Sequence, residues 1–458
     1  MNKPVIRLYV LLIVLFAVLV GFTSRWSVFE AEALRNNPNN HRQVLEEQLI
    51  RRGLIRARDG ELLAGNRRLP GKRYTRRYPT GPLFALPVGY NSFRFGRAGL
   101  ERYYNDDLTG QKSEFAGILD QLGSRTRVGD DLRTTLDPKA QKVAYQALGG
   151  RKGAVVAMDV HSGAVRVLAG TPSFDPLNPN RGSTFNLATQ GLFPPGSTFK
   201  TVTAVAAIDT GRYTPSSLIS GRNGKIISGT PLQNFGGEDF GLITLTDALT
   251  HSVNTVFGEV GVKLGGSTMS RYMERFGFNA KPPMDYPADQ MSASGSYRNG
   301  KLISETSRFI DVGRMAIGQD KLLVTPLQMA TVAQSIGNGG VRMEPRLVQR
   351  VVDPDGRTVS TPLPKRAQRV MSPATAAKLT AMMKQVVKEG TGTAAALQGV
   401  EVAGKTGTAE LNNNGLNDLW FIAFTPTEAV AVVVANVQGG QGGTVAAPIA
   451  KQVLQALG

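Results

Sequence analysis

The chain has 458 residues, 53 lysines and arginines against 35 acidic residues for a formal charge of +18, and no cysteine. That composition excludes disulfides, thiolate nucleophiles and cysteine-based zinc sites, and three scattered histidines, His41, His161 and His251, make a poor metal set. The length suits two or three domains that each bury a core, and the basic excess suits a polyanionic neighbour or a place beside a membrane; with no nucleic-acid-binding motif, nucleic acid is not an expected partner.

In chain order, Leu8 to Phe22 is an unbroken apolar run, preceded by Lys3 and Arg7 and followed by Trp26. With Val5 and Ile6 it approaches the roughly 20 residues that cross a bilayer. Charge on its N-terminal side predicts a cytoplasmic N-terminus and an extracytoplasmic remainder. Thr23 to Ser27 lacks a small-x-small cleavage pattern, so residues 1–24 read as an uncleaved signal anchor and the protein as single-pass.

Residues 25–150 form a polar, arginine-rich region that reads as a small β-rich domain. Asn36 to Asn40, with Pro38 inside, is a turn, and Gly53 to Ala64 alternates about Asp59-Gly60 as a β-hairpin. Gly99 to Gly110 is an amphipathic segment ending in a turn. Leu132 to Pro138 leads into a helix with Ala140, Val143, Ala144 and Ala147 on its apolar positions. Residues 151–458 read as the second domain. Ala154 to Asp159 and Ala164 to Ala169 pair about His161-Ser162-Gly163. The stretch from about 197 to 345 is mostly helical, and Thr325-Pro326 caps a helix within it. Strands follow at Glu401 to Glu410, Leu419 to Phe424 and Ala429 to Asn436, and a helix at Ala446 to Leu457. This is an α+β plan, with helices packed around an antiparallel sheet.

Three short motifs carry the chemistry. Ser197-Thr198-Phe199-Lys200 follows Pro194-Pro195-Gly196 at a helix start and is the sole SxxK of the chain. Serine and lysine three residues apart share one helix face, at an end where free N–H groups favour developing negative charge. Ser252-Val253-Asn254 lies between two helical stretches, where Ser252 can relay a proton and Asn254 can hold Lys200 or the substrate backbone; neighbouring His251 reads as structural. Lys405-Thr406-Gly407-Thr408 lies in a strand. There Gly407 lets substrate approach the strand edge, and Lys405, Thr406 and Thr408 suit a terminal carboxylate. Burial of Lys200 near Lys405 would lower its pKa and make it a base. Each motif alone is common; their order behind an export signal is not.

The trio resembles that of the penicillin-binding protein and β-lactamase superfamily. The whole chain resembles class B penicillin-binding proteins, of the short-pedestal PbpA type. The 53–64 and 99–110 segments are similar to the family's RGxIxxRxG and GxExxYNxxLxG pedestal elements, with Ala57 and Asp59 as departures. Met315 to Ala330 is similar to its GQG-x-TPLQ-A segment, with Asp320 replacing a glycine. The resemblance implies a peptidoglycan D,D-transpeptidase without cofactor. Ser197 would form an acyl-enzyme with the stem peptide and release D-Ala, the backbone N–H groups of Ser197 and Thr408 would form the oxyanion hole, and β-lactams would acylate the same serine. It also implies a place in the bacterial cytoplasmic membrane beside a SEDS-family glycan polymerase. A D,D-carboxypeptidase would use the same trio with water as acceptor. A β-lactamase would need a deacylating carboxylate, for which Glu274 and Glu305 lack the sequence context. A non-catalytic scaffold is disfavoured by the intact serine and lysines.

Overall fold

The structure is a computed structural model that describes residues 3–26, 48–71, 73–110, 128–411 and 415–458; the Asn36–Asn40 turn and His41 lie outside these. Helix α1 (Lys3–Ser24) has 22 residues with none buried, which at about 1.5 Å per residue matches a bilayer core. Among the described residues it is the one helix long and apolar enough to cross a membrane.

Strands β1 (Ile55–Arg56), β2 (Leu62–Leu69), β3 (Arg73–Arg77) and β4 (Asp131–Thr134) precede α2 (Pro138–Leu148) and the hairpin β5 (Gly153–Asp159)/β6 (Val165–Thr171). Helices α3 (Lys200–Asp209), α4 (Leu245–Thr250), α5 (Asn254–Leu264) and α6 (Pro326–Gly337) follow. After β7 (Val348–Val352) and β8 (Thr358–Ser360), α7 (Pro373–Lys388) leads to β9 (Ala403–Glu410), β10 (Leu416–Phe424), β11 (Glu428–Gln438) and α8 (Gly442–Leu457).

Two sheets organise these elements. The first has the order β8-β7-β4-β1-β2-β3, so the small N-terminal sheet is completed by two strands from far along the chain. The second is antiparallel throughout, in the order β9-β10-β11-β5-β6. Period-two alternation divides its side chains between two cores. Val155, Ala157, Phe421, Ala423, Val430, Val432 and Val434 pack against α2 and α8. Ala154, Val156, Trp420, Ile422, Ala431 and Val433 face the helical middle, where α6 lies against the sheet. The α+β plan read from the sequence is the one observed.

The middle is less helical than its sequence pattern predicts. Lys225–Ile227 pairs with Thr230–Leu232, and Gly295–Arg298 with Lys301–Ile303. The two-residue turns between them, Ser228-Gly229 and Asn299-Gly300, all have positive φ (51°, 82°, 51° and 73°), the geometry that matches strand twist in a tight hairpin.

The Gly99–Gly110 segment joins the two units. Glu101 is fully buried and bonded to Arg76 Nε at 2.6 Å, Arg52 at 3.1 Å and the Tyr78 hydroxyl at 3.2 Å. Burial alone would raise its carboxyl pKa; the two guanidiniums overcome that and hold it below the ordinary range. Next to it, the Tyr104 hydroxyl donates at 3.0 Å to Asp285, whose carboxylate also accepts the N–H groups of Leu347 (2.6 Å) and Val348 (2.8 Å).

Candidate active site

Ser197 sits on a 3-10 turn, Gly196–Phe199, that runs into α3. Residues three apart eclipse in such a turn, which puts Ser197 and Lys200 on one side. The turn is clamped from several directions. Thr198 Oγ1 donates to the Pro195 carbonyl at 2.7 Å, Trp420 Nε1 to the Pro194 carbonyl at 2.9 Å, and Gly196 N–H to the Gly318 carbonyl at 3.0 Å. Gly318 (φ 81°) has no room for a side chain, since a Cβ there would lie 2.0 Å from the Gly196 carbonyl oxygen. Asp320, two residues on, holds a left-handed φ of 62°, a conformation natural to glycine that aspartate tolerates. Its carboxylate accepts the Asp311 N–H at 3.1 Å and pairs with Lys321 at 2.8 Å.

Lys200 and Lys405 are both fully buried and converge on Ser252. Lys200 Nζ donates to the Ser252 carbonyl at 2.6 Å and to Asn254 Oδ1 at 2.7 Å, and lies 3.2 Å from Ser252 Oγ. Lys405 Nζ, from β9, donates to Ser252 Oγ at 2.9 Å and to the Thr406 carbonyl at 3.1 Å. Among the described residues no carboxylate bonds to either amine, and no hydrogen bond joins Lys200 Nζ to the Ser197 hydroxyl. Ser252 holds a left-handed φ of 59°. The kink follows from its position: Ser252 and Val253 N–H close onto the end of α4, and α5 begins at Asn254. Burial, and then the nearby Lys405, push Lys200 well below the ordinary lysine range; burial brings Lys405 to about 7.

Strand β9 is an edge of its sheet, and the cleft beside it, about 980 Å³, is lined by Ser197, Ser252, Asn254, Thr406, Gly407 and Thr408. Thr406 Oγ1 pairs with Thr391 Oγ1 at 2.6 Å, and Thr408 Oγ1 accepts the Gly442 N–H at 3.3 Å. Gly407 is also required by the packing of the turn. A Cβ there would lie 2.8 Å from the Pro195 carbonyl and 2.9 Å from Thr198 Cγ2, so the glycine lets β9 lie against the Ser197 turn. The structure thus brings all eight predicted residues together. It adds Thr391, Arg314 and Gln441 to the lining, and Gly442, where a Cβ would meet the Gly407 carbonyl at 2.3 Å. The two glycine pairs flanking Gln441, at 439–440 and 442–443, were the available signal for the last of these. His251 lies at the cleft and stacks on Phe240. Glu305 is buried against Ser270 and Asn279, and neither it nor Glu274 lines the cleft.

Residues 153–455 match the penicillin binding protein transpeptidase domain family, and residues 52–132 the penicillin binding protein A dimerisation domain family. The chain is 33% identical over 502 residues to the peptidoglycan D,D-transpeptidase PbpA of Mycolicibacterium smegmatis, covering 100% of this chain and 99% of the relative. It is 32% identical over 498 residues to PbpA of Mycobacterium tuberculosis, with the same coverage. The imipenem acyl-enzyme complex of M. tuberculosis penicillin-binding protein A superposes with a TM-score of 0.80 at 31% identity, covering 90% of this chain and 99% of that one. A D,D-transpeptidase domain from Eggerthella lenta gives 0.77 at 32% identity, covering 89% and 97%. Two buried lysines with two half-buried serines beside a free strand edge, and relatives that match end to end, make one conclusion: the chain belongs to the penicillin-binding proteins, of the class B, PbpA type.

Proposed function

We propose that this protein is a membrane-anchored peptidoglycan D,D-transpeptidase that works through an acyl-enzyme on Ser197. The observation that carries the reading is the convergence of two buried, carboxylate-free lysines on the Ser252 hydroxyl beside the Ser197 turn. A neutral amine has two N–H donors and one lone pair. The Ser252 carbonyl and Asn254 Oδ1 take the two donors of Lys200, which leaves the lone pair to receive a proton.

Ser197 Oγ attacks the penultimate D-Ala carbonyl of a stem peptide while its proton passes to Lys200. The backbone N–H groups of Ser197 and Thr408 take the oxyanion. When the tetrahedral intermediate collapses, the C–N bond breaks and the D-Ala amine leaves with a proton delivered through Lys200 and Ser252. An amine from a neighbouring stem then attacks the ester, gives up its proton by the same route, and releases Ser197. Lys405, Thr406 and Thr408 hold the terminal carboxylate, and the free edge of β9 pairs with the peptide backbone. β-Lactams acylate Ser197 in the same way. The adduct is expected to persist: neither Glu305 nor Glu274 lines the cleft, and of the two carboxylates among the described residues that do, Asp320 is paired with Lys321 and Glu410 lies at the end of β9. Helix α1 anchors the chain with its catalytic part outside the cytoplasmic membrane, and family resemblance makes a SEDS-family glycan polymerase the partner there.

Intact-protein mass after incubation with benzylpenicillin tests the reading. The wild type gains one drug mass, Ser197→Ala gains none, and Lys200→Ala acylates about 10²- to 10⁴-fold more slowly. An adduct on Ser197→Ala, or rapid drug loss with no adduct, overturns it. A donor–acceptor assay with a stem pentapeptide then separates amine from water as acceptor.

A further inference from the structure

The N-terminal unit carries a charged surface that the acyl-transfer chemistry does not use. On the β2–β3 hairpin Arg67, Arg68, Arg73 and Arg77 are exposed, and none makes an ion pair with the described residues. Elsewhere exposed cations do find acids, as in Arg102–Asp289 and Lys384–Glu401. The register sets Arg67 opposite Thr75, between Arg73 and Arg77 on the facing strand, so three guanidiniums share one face. Like charges gathered on one face of a strand pair destabilise it.

A second hairpin, Asn91–Ser92 paired with Gly96–Arg97, adjoins the first. Its Asn91 N–H donates to the Tyr78 hydroxyl just beyond β3 at 2.8 Å. Phe93 lines one small recess together with Asn66, Tyr74, Thr75 and Arg76. By register Asn66, Tyr74 and Arg76 lie on the face opposite Arg67, Arg73 and Arg77, so the aromatic tip and the arginines flank the edge strand β3 and would meet a bilayer along that edge. The tip of this second hairpin is Phe93-Arg94-Phe95. Both rings are exposed, at 45% and 38%, and Arg94 stacks over Phe95 at 5.3 Å. Exposed aromatic rings beside arginines are at home at a membrane interface, where the ring meets the acyl boundary and the guanidinium meets phosphate.

We propose that these two hairpins form a second membrane contact, in which the arginines bind anionic lipid headgroups and Phe93 and Phe95 enter the interface. The proposal rests on the reading of α1 as the anchor. Residues 27–47 connect α1 to this unit, so the hairpins meet the bilayer at high effective concentration and weak individual contacts suffice. An anionic surface strengthens binding about fivefold per arginine. A second copy of the chain fits the face poorly, because a two-fold contact would set the same cationic patch against itself. The contact would hold the N-terminal unit close to the bilayer and set the height of the cleft above it.

The test uses the full chain in nanodiscs, with hydrogen exchange read at residues 62–77 and 91–97. Incorporation into the discs reports α1 independently. In discs containing phosphatidylglycerol these amides exchange at least about fivefold more slowly than in phosphatidylcholine discs. The protection is lost in Arg67→Glu/Arg73→Glu/Arg77→Glu and reduced in Phe93→Ser/Phe95→Ser, while benzylpenicillin acylation is unchanged in both. Incorporation with equal exchange in the two lipids overturns the proposal. So does protection that scales with protein concentration, which would indicate a second copy, or protection that appears only on adding peptidoglycan, which would indicate a wall polymer. Failure to incorporate overturns the α1 reading itself.

Discussion

At the residue scale the two lysines set the chemistry and carry a stability cost. An ammonium in the place of Lys405 is fully buried and has no carboxylate partner among the described residues, and burial brings its pKa from the ordinary 10.5 to about 7. The folded pKa lies below the unfolded one. Between about pH 7 and 10.5 the unfolded chain therefore binds more protons, and stability rises with pH across that window. Below pH 7 the full cost of the buried charge is present. Lys405→Met removes the charge and keeps the volume. It stabilises the full chain at pH 6 by roughly 2–4 kcal/mol, the gain shrinks toward pH 10, and acylation is lost. Thermal midpoints of variant and wild type at pH 6, 8 and 10 check this; a difference that does not change with pH would mean Lys405 is not buried as an ammonium.

At the scale of elements, the site depends on backbones placed too close for side chains. Gly318 and Gly339 both have positive φ, 81° and 59°, yet only Gly318 abuts the Ser197 turn; a Cβ at Gly339 meets nothing within 4 Å. Gly318→Ala must push Gly196 away. It costs about 1–3 kcal/mol of stability and about 10²-fold in acylation, because a misplaced nucleophile loses its geometry. Gly339→Ala carries only the left-handed backbone cost, about 1–2 kcal/mol, and acylates normally. Equal acylation by both would show that the Gly318 brace does not position Ser197. The sequence signalled the catalytic trio because acyl transfer needs particular residue types at fixed spacing. It signalled β9, β10, β11 and the cap at Thr325 because periodicity and capping are local. The Asn299-Gly300 hairpin was equally local but was submerged in a helical pattern. The packing role of Gly407 was not local at all, since it depends on Pro195 and Thr198 from another element.

At the scale of the molecule, β7 and β8 complete the N-terminal sheet from beyond α6, so the chain crosses between the two units more than once. No periodicity marks such a crossing. Nor does any motif mark Asp285, which ties Tyr104 of the N-terminal unit to the Leu347–Val348 backbone at the start of β7. Burial raises the Asp285 carboxyl from 3.8 to about 6, against the three donors that lower it. The folded pKa is above the unfolded one, so the folded state holds the extra proton between about pH 4 and 6, and stability from this group falls as pH rises through 6. Asp285→Asn abolishes that slope. It also turns an N–H₂ group toward part of the donor set of Tyr104, Leu347 and Val348, which leaves a buried donor unpaired at about 1–3 kcal/mol. Hydrogen exchange at the Leu347 and Val348 amides should therefore quicken in the variant, and the wild-type acceleration between about pH 4 and 6, after correction for intrinsic exchange, should disappear. If the corrected slope is the same in both proteins, Asp285 is not the titrating group of the joint, and coupling between the two units has to be sought in the Arg102–Asp289 pair and the Gly99–Gln290 hydrogen bond instead.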